Sequence, residues 1–259
     1  MIQGLLIDLD GVVYVGDAPV PGAPEAIRWL QAQGIPHLFL TNTTSRPRAA
    51  LVERLAGVGV HTDVDHILTP PVAAVDWLGD QGAQPVALFV PAATVSEFAS
   101  LAQVGPEAES GARAVVVGDL GEGWDFATLN RAFRLLMADE AAHLVALGMT
   151  RYWQAPDGLR LDTGPFVQAL AYAASREPVV TGKPAAAFFQ AGCRILGLPP
   201  EAVAMIGDDV VTDVGAAQRA GLKGILVQTG KFRPQDLRGE ILPDAVLPSL
   251  ADLPARWPL

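Results

Sequence analysis

Short apolar runs alternate along the chain with stretches in which apolar residues recur every three or four positions, the two periods that separate strands from amphipathic helices. Residues 5–8 (LLID), 35–42 (IPHLFLTN) and 67–70 (ILTP) read as strands. Between them, residues 21–34 carry proline early and Gly34 just past the end, the asymmetry of a helix. Ser45 can cap a helix over 46–57, and 72–82 reads as another. The middle repeats the pattern, with strands at 86–90, 114–118 and 143–148 and helices at 94–103, 125–140 and 166–177. Residues 151–164 (RYWQAPDGLRLDTG) are rich in turn formers and predict an irregular segment. The last third returns to strong signals: a strand ending in 179–184, a helix over 185–197, a strand over 202–209, a helix over 213–221 and a strand over 224–230. Alternation of this kind predicts an α/β fold with a doubly wound parallel sheet and crossover helices.

In such a sheet, ligands bind outside the carboxyl ends of the strands. Four segments run from an apolar strand into a polar cluster there: LLID-LDG, LFL-TNTTS, VVT-GKP and AMI-GDDVVTD. Asp8 and Asp10 would point to opposite faces of a regular strand, and Gly11 lets the chain turn so that both reach one pocket. If Asp8, Asp10 and Asp208 converge, each pair ~4 Å apart repels by ~4 kcal/mol at an effective dielectric near 20. One lysine cannot neutralise that set. A hard divalent cation with oxygen ligands can, and Mg2+ is the ordinary choice where phosphate is also bound. Asp213 fits a helix cap as well as it fits a site. Thr41 and Asn42 offer neutral donors suited to a phosphate, since Thr44 or Ser45 already satisfies the following helix. Lys183, directly after an apolar strand, reads as an anion ligand. GKP lacks the Ser or Thr of a Walker A loop, and no GxGxxG follows a strand. His37, His61, His66 and His143 show no metal-binding spacing, and Cys193 sits in an apolar run as a core thiol.

Composition narrows the partners. The chain has 259 residues, half of them apolar, and a formal net charge of −10, which excludes the basic face of a duplex-binding protein. No apolar stretch is long enough to span a bilayer, the single cysteine fits a reducing compartment, and the first residues lack a signal-peptide pattern. The expectation is a cytoplasmic protein that engages neither nucleic acid nor membrane.

DLDGVVY, TNTTS, GKP and GDDVVTD, in this order, resemble the four motifs of the haloacid dehalogenase superfamily of phosphatases. The long insertion between the second and third motifs resembles the α/β cap of the NagD-like (IIA) branch. TNTTS, NRAFRLL, RYW, DGL, GPFV, GKP and MIGDD with GILVQTGKFR are similar to the phospholysine/phosphohistidine inorganic pyrophosphate phosphatase-like group. The resemblance implies a Rossmann-like core over 1–80 and 178–259, with an inserted cap over 81–177. It implies a phosphatase acting on a small phosphorylated metabolite, with Asp8 as nucleophile and Asp10 as general acid and base. It also implies Mg2+ held by Asp8, the Asp10 carbonyl and Asp208 with support from Asp213, and phosphoryl oxygens held by Thr41, Asn42 and Lys183. A homodimer is compatible with this branch. The competing readings are a receiver-like phospho-acceptor and a non-catalytic phospho-ligand binder. A receiver has no use for Asp10 as a proton carrier, nor for an insertion of about a hundred residues.

Overall fold

Gly4–Asp8 and Val203–Gly207 are apolar apart from the terminal Asp8 and the two glycines, and both are buried at every position, as strands covered on two faces must be. They lie side by side at the centre of a six-stranded sheet in a computed structural model that describes residues 1–155 and 157–258. Pro156, inside the segment expected to be irregular, and Leu259 lie outside the described residues. The chain divides into two units: Met1–Thr41, Arg48–Leu68 and Lys183–Leu259 form the first, and Asn42–Pro47 with Thr69–Gly182 form the second.

In the first unit the strand order is Ala245–Leu247, Lys223–Val227, Val203–Gly207, Gly4–Asp8, His37–Leu40 and Ile67–Leu68, all parallel. The chain starts in the middle, adds two strands on one side, and later returns to add three on the other. The switch point of this doubly wound order therefore falls between Gly4–Asp8 and Val203–Gly207, where the strands leave a crevice at their carboxyl ends. Alternation fixes the two faces. Leu5 and Ile7 join Ile27, Leu30, Leu51 and Leu55 in one cluster, so the helices Ala23–Ala32 and Arg48–Gly57 cover that face. Leu6 points the other way, toward Gly192 of the helix Ala186–Leu196, where a Cβ would meet both Leu6 methyls at 3.0 Å. Cys193 is buried in that helix, and burial raises its thiol pKa to about 11, as suits a core residue.

The second unit has its own parallel four-stranded sheet, ordered Val179–Val180, His143–Ala146, Ala114–Val117 and Val86–Phe89. Val115, Val117 and Leu144 pack on Leu135, Val167 and Leu170 of the helices Phe126–Ala138 and Thr163–Ala174. Val116 and Val145 pack on Ala74, Leu78 and Phe98. The helix Pro70–Asp80 thus belongs to the second unit, whereas the sequence reading assigned it to the first. Its apolar stripe is satisfied by the far face of the second sheet.

Other local expectations also change. Tyr152–Ala155 and Gly158–Leu161 are antiparallel paired strands rather than irregular chain. Ala92–Phe98 is a 3-10 helix, not the start of an α-helix to 103, because the chain straightens to lay Ala102–Val104 beside Val86. The helix expected over 213–221 is α-helical only at Ala216–Arg219, and a π-helical turn over Val210–Gly215 precedes it. Among the described residues no helix is long and apolar enough to cross a membrane.

His37 is buried and its Nδ1 donates to the Ile35 carbonyl at 2.9 Å, because a carbonyl can only accept. Burial holds the ring below its ordinary pKa, so the native form is neutral. The unfolded ring titrates near ~6.5. The neutral ring's contribution is therefore complete above that pH and is lost as pH falls through the lower folded value. His37→Phe, which keeps the edge contact to Phe39, should lose less stability than the parent between pH 7.5 and 5.5, measured by urea denaturation.

Candidate active site

The carboxyl ends of the two central strands gather the charges. Asp8 is the last residue of Gly4–Asp8, and Asp208 follows Val203–Gly207 directly. Asp213 is brought back to them by the π-helical turn, whose wider winding carries it under the end of its own strand. One oxygen from each of Asp8, Asp208 and Asp213 lies within 4.8 Å of the others, and all three residues are buried. Lys183, also buried, reaches between two of them: Nζ is 2.8 Å from Asp8 Oδ1 and 2.7 Å from Asp213 Oδ1.

Each acid has a different set of partners. Asp8 Oδ1 also accepts the Leu9 N–H at 2.8 Å. Asp213 Oδ2 accepts the Asp209 N–H at 3.2 Å. Asp208 Oδ2 accepts the Lys231 N–H at 2.7 Å, while Asp208 Oδ1 is buried with no hydrogen-bond partner. Burial raises the pKa of all three above the ordinary carboxylate range. Lys183 opposes this for Asp8 and Asp213, the Lys231 N–H opposes it for Asp208, and Asp213 ends at about 6. For Lys183, burial alone would favour the neutral amine, but the charges of Asp213 and Asp8 outweigh it and the pKa is raised.

Glycines make the approach possible. A Cβ on Gly207 would stand 2.3–2.4 Å from the Asp213 side chain, so only glycine admits that carboxylate beneath the strand end. Gly11 has φ +85°, which permits the turn after Asp10, and its bare Cα also leaves room for Asp208 Oδ2. In the sequence Gly207 and Gly230 read only as parts of the strands over 202–209 and 224–230. Their signal was the placement of a glycine between an apolar strand and a polar cluster.

The Asp10 side chain is exposed, and the carboxylate cluster consists of Asp8, Asp208 and Asp213 without it. The chain turns directly after Asp8, with the Leu9 carbonyl accepting the Val13 N–H at 2.9 Å, and this leaves Asp10 facing solvent. Thr41 is buried at the end of His37–Leu40, the strand whose Leu40 is paired with Asp8. Asn42 opens the second unit, its Oδ1 3.1 Å from the position a Cβ on Gly182 would take.

The cluster of hard anionic oxygens could hold a divalent cation. Three carboxylates with one ammonium leave two negative charges, and the unpartnered Asp208 Oδ1 faces this need directly. Soft metals, which favour sulfur and imidazole, find no such donors here. A separate cavity of about 420 Å3 lies at the opposite ends of the strands, around His37, His61 and His66, away from this chemistry.

Residues 5–104 match the family model for haloacid dehalogenase-like hydrolases, and residues 180–253 match a HAD-hydrolase-like model. Over 235 residues the chain is 40% identical to haloacid dehalogenase-like hydrolase domain-containing protein 2 of Bos taurus, covering 91% of this chain and 87% of that protein. Over 256 residues it is 35% identical to the phospholysine phosphohistidine inorganic pyrophosphate phosphatase of Homo sapiens, covering 97% and 92%. Among solved structures, the p-nitrophenyl phosphatase of Archaeoglobus fulgidus gives a TM-score of 0.86 at 29% identity over 97% of both chains. NagD from Escherichia coli, 24% identical over 97% of this chain and 98% of that one, shares the fold with a TM-score of 0.86. A doubly wound α/β core with aspartates and a lysine gathered at its strand ends is the class these comparisons define, and the chain belongs to the haloacid dehalogenase-like hydrolases. The named relatives in that family include phosphatases, and the chain is a hydrolase of phosphate bonds.

Lys183→Met removes the ammonium and keeps most of the stem, which strands two buried carboxylates. Stability should fall by ~3–5 kcal/mol in urea denaturation. Adding Asp213→Asn to the same chain should recover part of that loss. A double variant no more stable than Lys183→Met would contradict the pairing.

Proposed function

We propose that the protein is a Mg2+-dependent phosphatase that hydrolyses a small phosphorylated substrate through an aspartyl-phosphate on Asp8. The observation that carries this reading is the burial of Asp8 with Asp208, Asp213 and Lys183 at the switch point of the sheet. The family membership and the phosphatase names of the relatives support it.

Asp8 is suited to attack because its recorded bonds fall on Oδ1, where Leu9 N–H and Lys183 hold it. In the first step an oxygen of Asp8 forms a bond to phosphorus and the bond from phosphorus to the leaving group breaks. Asp10, two residues on and exposed, gives its proton to the departing oxygen. In the second step Asp10, now ionised, takes a proton from water. The water oxygen bonds to phosphorus, inorganic phosphate departs and Asp8 is regenerated. Lys183, Thr41 and Asn42 hold the equatorial phosphoryl oxygens, where charge is spread in the transition state. Asp8, Asp208 and Asp213 would hold Mg2+, which supplies charge neutralisation for the phosphoryl group when bound. On this reading the second unit serves as the cap and selects the leaving group.

With p-nitrophenyl phosphate as substrate, turnover should require Mg2+ and vanish in excess EDTA. Asp8→Asn should lower kcat more than a hundredfold, a barrier change above ~3 kcal/mol, with the melting temperature unchanged or raised because one repelling charge is gone. Full activity in EDTA, or a kcat for Asp8→Asn within a hundredfold of the parent, would defeat the assignment. Stoichiometric phosphate binding without turnover would favour the binding-protein reading instead.

A further inference from the structure

We propose that the loop Thr229–Lys231, which lies outside the four motif segments, is the positioning element that aims Asp208 at the divalent-ion site. The inference rests on the metal reading above. The loop follows the strand Lys223–Val227, the outer neighbour of the strand that carries Asp208. It acts on Asp208 from three directions. The Lys231 N–H donates to Asp208 Oδ2 at 2.7 Å. Gly230, at φ +62°, brings its bare Cα so close that a Cβ would stand 2.0 Å from Oδ2 and 2.5 Å from the Cα of Gly11. Gly11 walls the other side, where a Cβ would stand 1.9 Å from the same oxygen. The Thr229 hydroxyl ties the two walls together by donating to the Gly11 carbonyl at 2.5 Å.

Held in this way, Oδ2 has no room to turn, and Oδ1 is the oxygen left buried, unpartnered and grouped with Asp8 and Asp213. The restraint has a purpose in electrostatics. Asp208 is repelled by the neighbouring carboxylates of Asp213 and Asp8, and Lys183 and Lys231 attract it only from a distance, without the direct contact that Lys183 makes to Asp8 and Asp213. An unrestrained side chain would relieve the repulsion by swinging toward solvent. The loop makes that rotation costly and so presents a preformed ligand. The same bonds make the turn after Asp8 and the loop after Lys223–Val227 one connected unit, so that nucleophile and metal ligand are set together.

The test uses the full-length protein with Mn2+ as a paramagnetic probe, its free fraction read by electron paramagnetic resonance, and Mg2+ followed by calorimetry. Thr229→Val removes the tie without changing side-chain size and should weaken ion binding by about tenfold or more, the usual range for residues that orient a ligand. Thr229→Ser should restore affinity to within about twofold. Gly230→Ala should weaken binding further. A loop that merely supports the fold would lower the melting temperature and leave ion affinity unmoved. Folded Thr229→Val that binds within about twofold of the parent overturns the proposal, as does equal weakening in Thr229→Ser. If Gly230→Ala does not fold, the Val and Ser pair at 229 decides alone. Asp208→Asn separates the two levels: a parent that binds no ion, or an Asp208→Asn variant that binds as the parent does, overturns the metal reading itself, and this inference with it.

Discussion

The site is organised by one electrostatic constraint: three buried carboxylates share their surroundings with a single buried ammonium. Asp213 has no exposed surface, and its Lys183 partner has almost none. Desolvating such groups costs several kcal/mol per ion, and mutual attraction offsets this only when the geometry is good and the remaining lone pairs are bonded. The distances of 2.7 and 2.8 Å, the Leu9 and Asp209 amides and the Lys231 amide are the response to that requirement. Lys183 stands between Asp8 and Asp213, so it reduces their repulsion as it pairs with each. Asp208 receives no such pairing, and among the described residues its Oδ1 is a fully buried carboxylate oxygen with no hydrogen-bond partner. The polarity of the site is concentrated at that atom.

A cluster this costly persists because the surrounding sheet cannot yield. Gly4–Asp8 and Val203–Gly207 are buried at every position and paired along their length, with large aliphatic residues packed on both faces. Asp8 and Asp208 project from the rigid ends of these strands, so their separation is set by strand spacing rather than by side-chain preference, and the π-helical turn brings Asp213 to them. Where the backbone itself must come close, the chain uses glycine. Gly207 admits Asp213 from one side, and Gly11 and Gly230 enclose Asp208 from the other. At each of these positions a single methyl group would overlap the carboxylate it adjoins.

Most of this was legible because the signals are local and redundant. Apolar runs ending in acids, in Thr-Asn or in Gly-Lys mark strand ends, and strand ends are where a doubly wound sheet puts its chemistry. What escaped the sequence was decided by contacts distant along the chain. Pro70–Asp80 has an ordinary amphipathic pattern, and nothing local says which of two sheets receives its apolar stripe. Tyr152–Ala155 and Gly158–Leu161 alternate too weakly to show as strands, since Tyr152, Trp153, Leu159 and Leu161 all remain exposed. The role of Asp213 was ambiguous between cap and ligand because both put an acid at the start of a helix. The π-helical turn resolves it by making Asp209 the residue whose side chain caps, through Val211 and Thr212, while Asp213 turns inward to Lys183. Asp10 stays exposed because the turn begins directly after Asp8, at the strand end the apolar run already marks.

On the proposed reading the charge balance carries a further consequence for the order of events. A phosphoryl group brings negative charge to a cluster that already holds a net two negative charges, in a chain whose overall charge is −10. Lys183 cannot offset that approach alone, because its ammonium is already paired with Asp8 and Asp213. On this reading Asp8, Asp208 and Asp213 would hold a divalent cation whose charge would offset the excess, and Lys183 would then share its charge with the phosphoryl oxygens. Cation and substrate are thus coupled through the same three oxygens. By linkage, each strengthens the other's binding by the same factor, and the nucleophile is presented to phosphorus only where that coupling is satisfied.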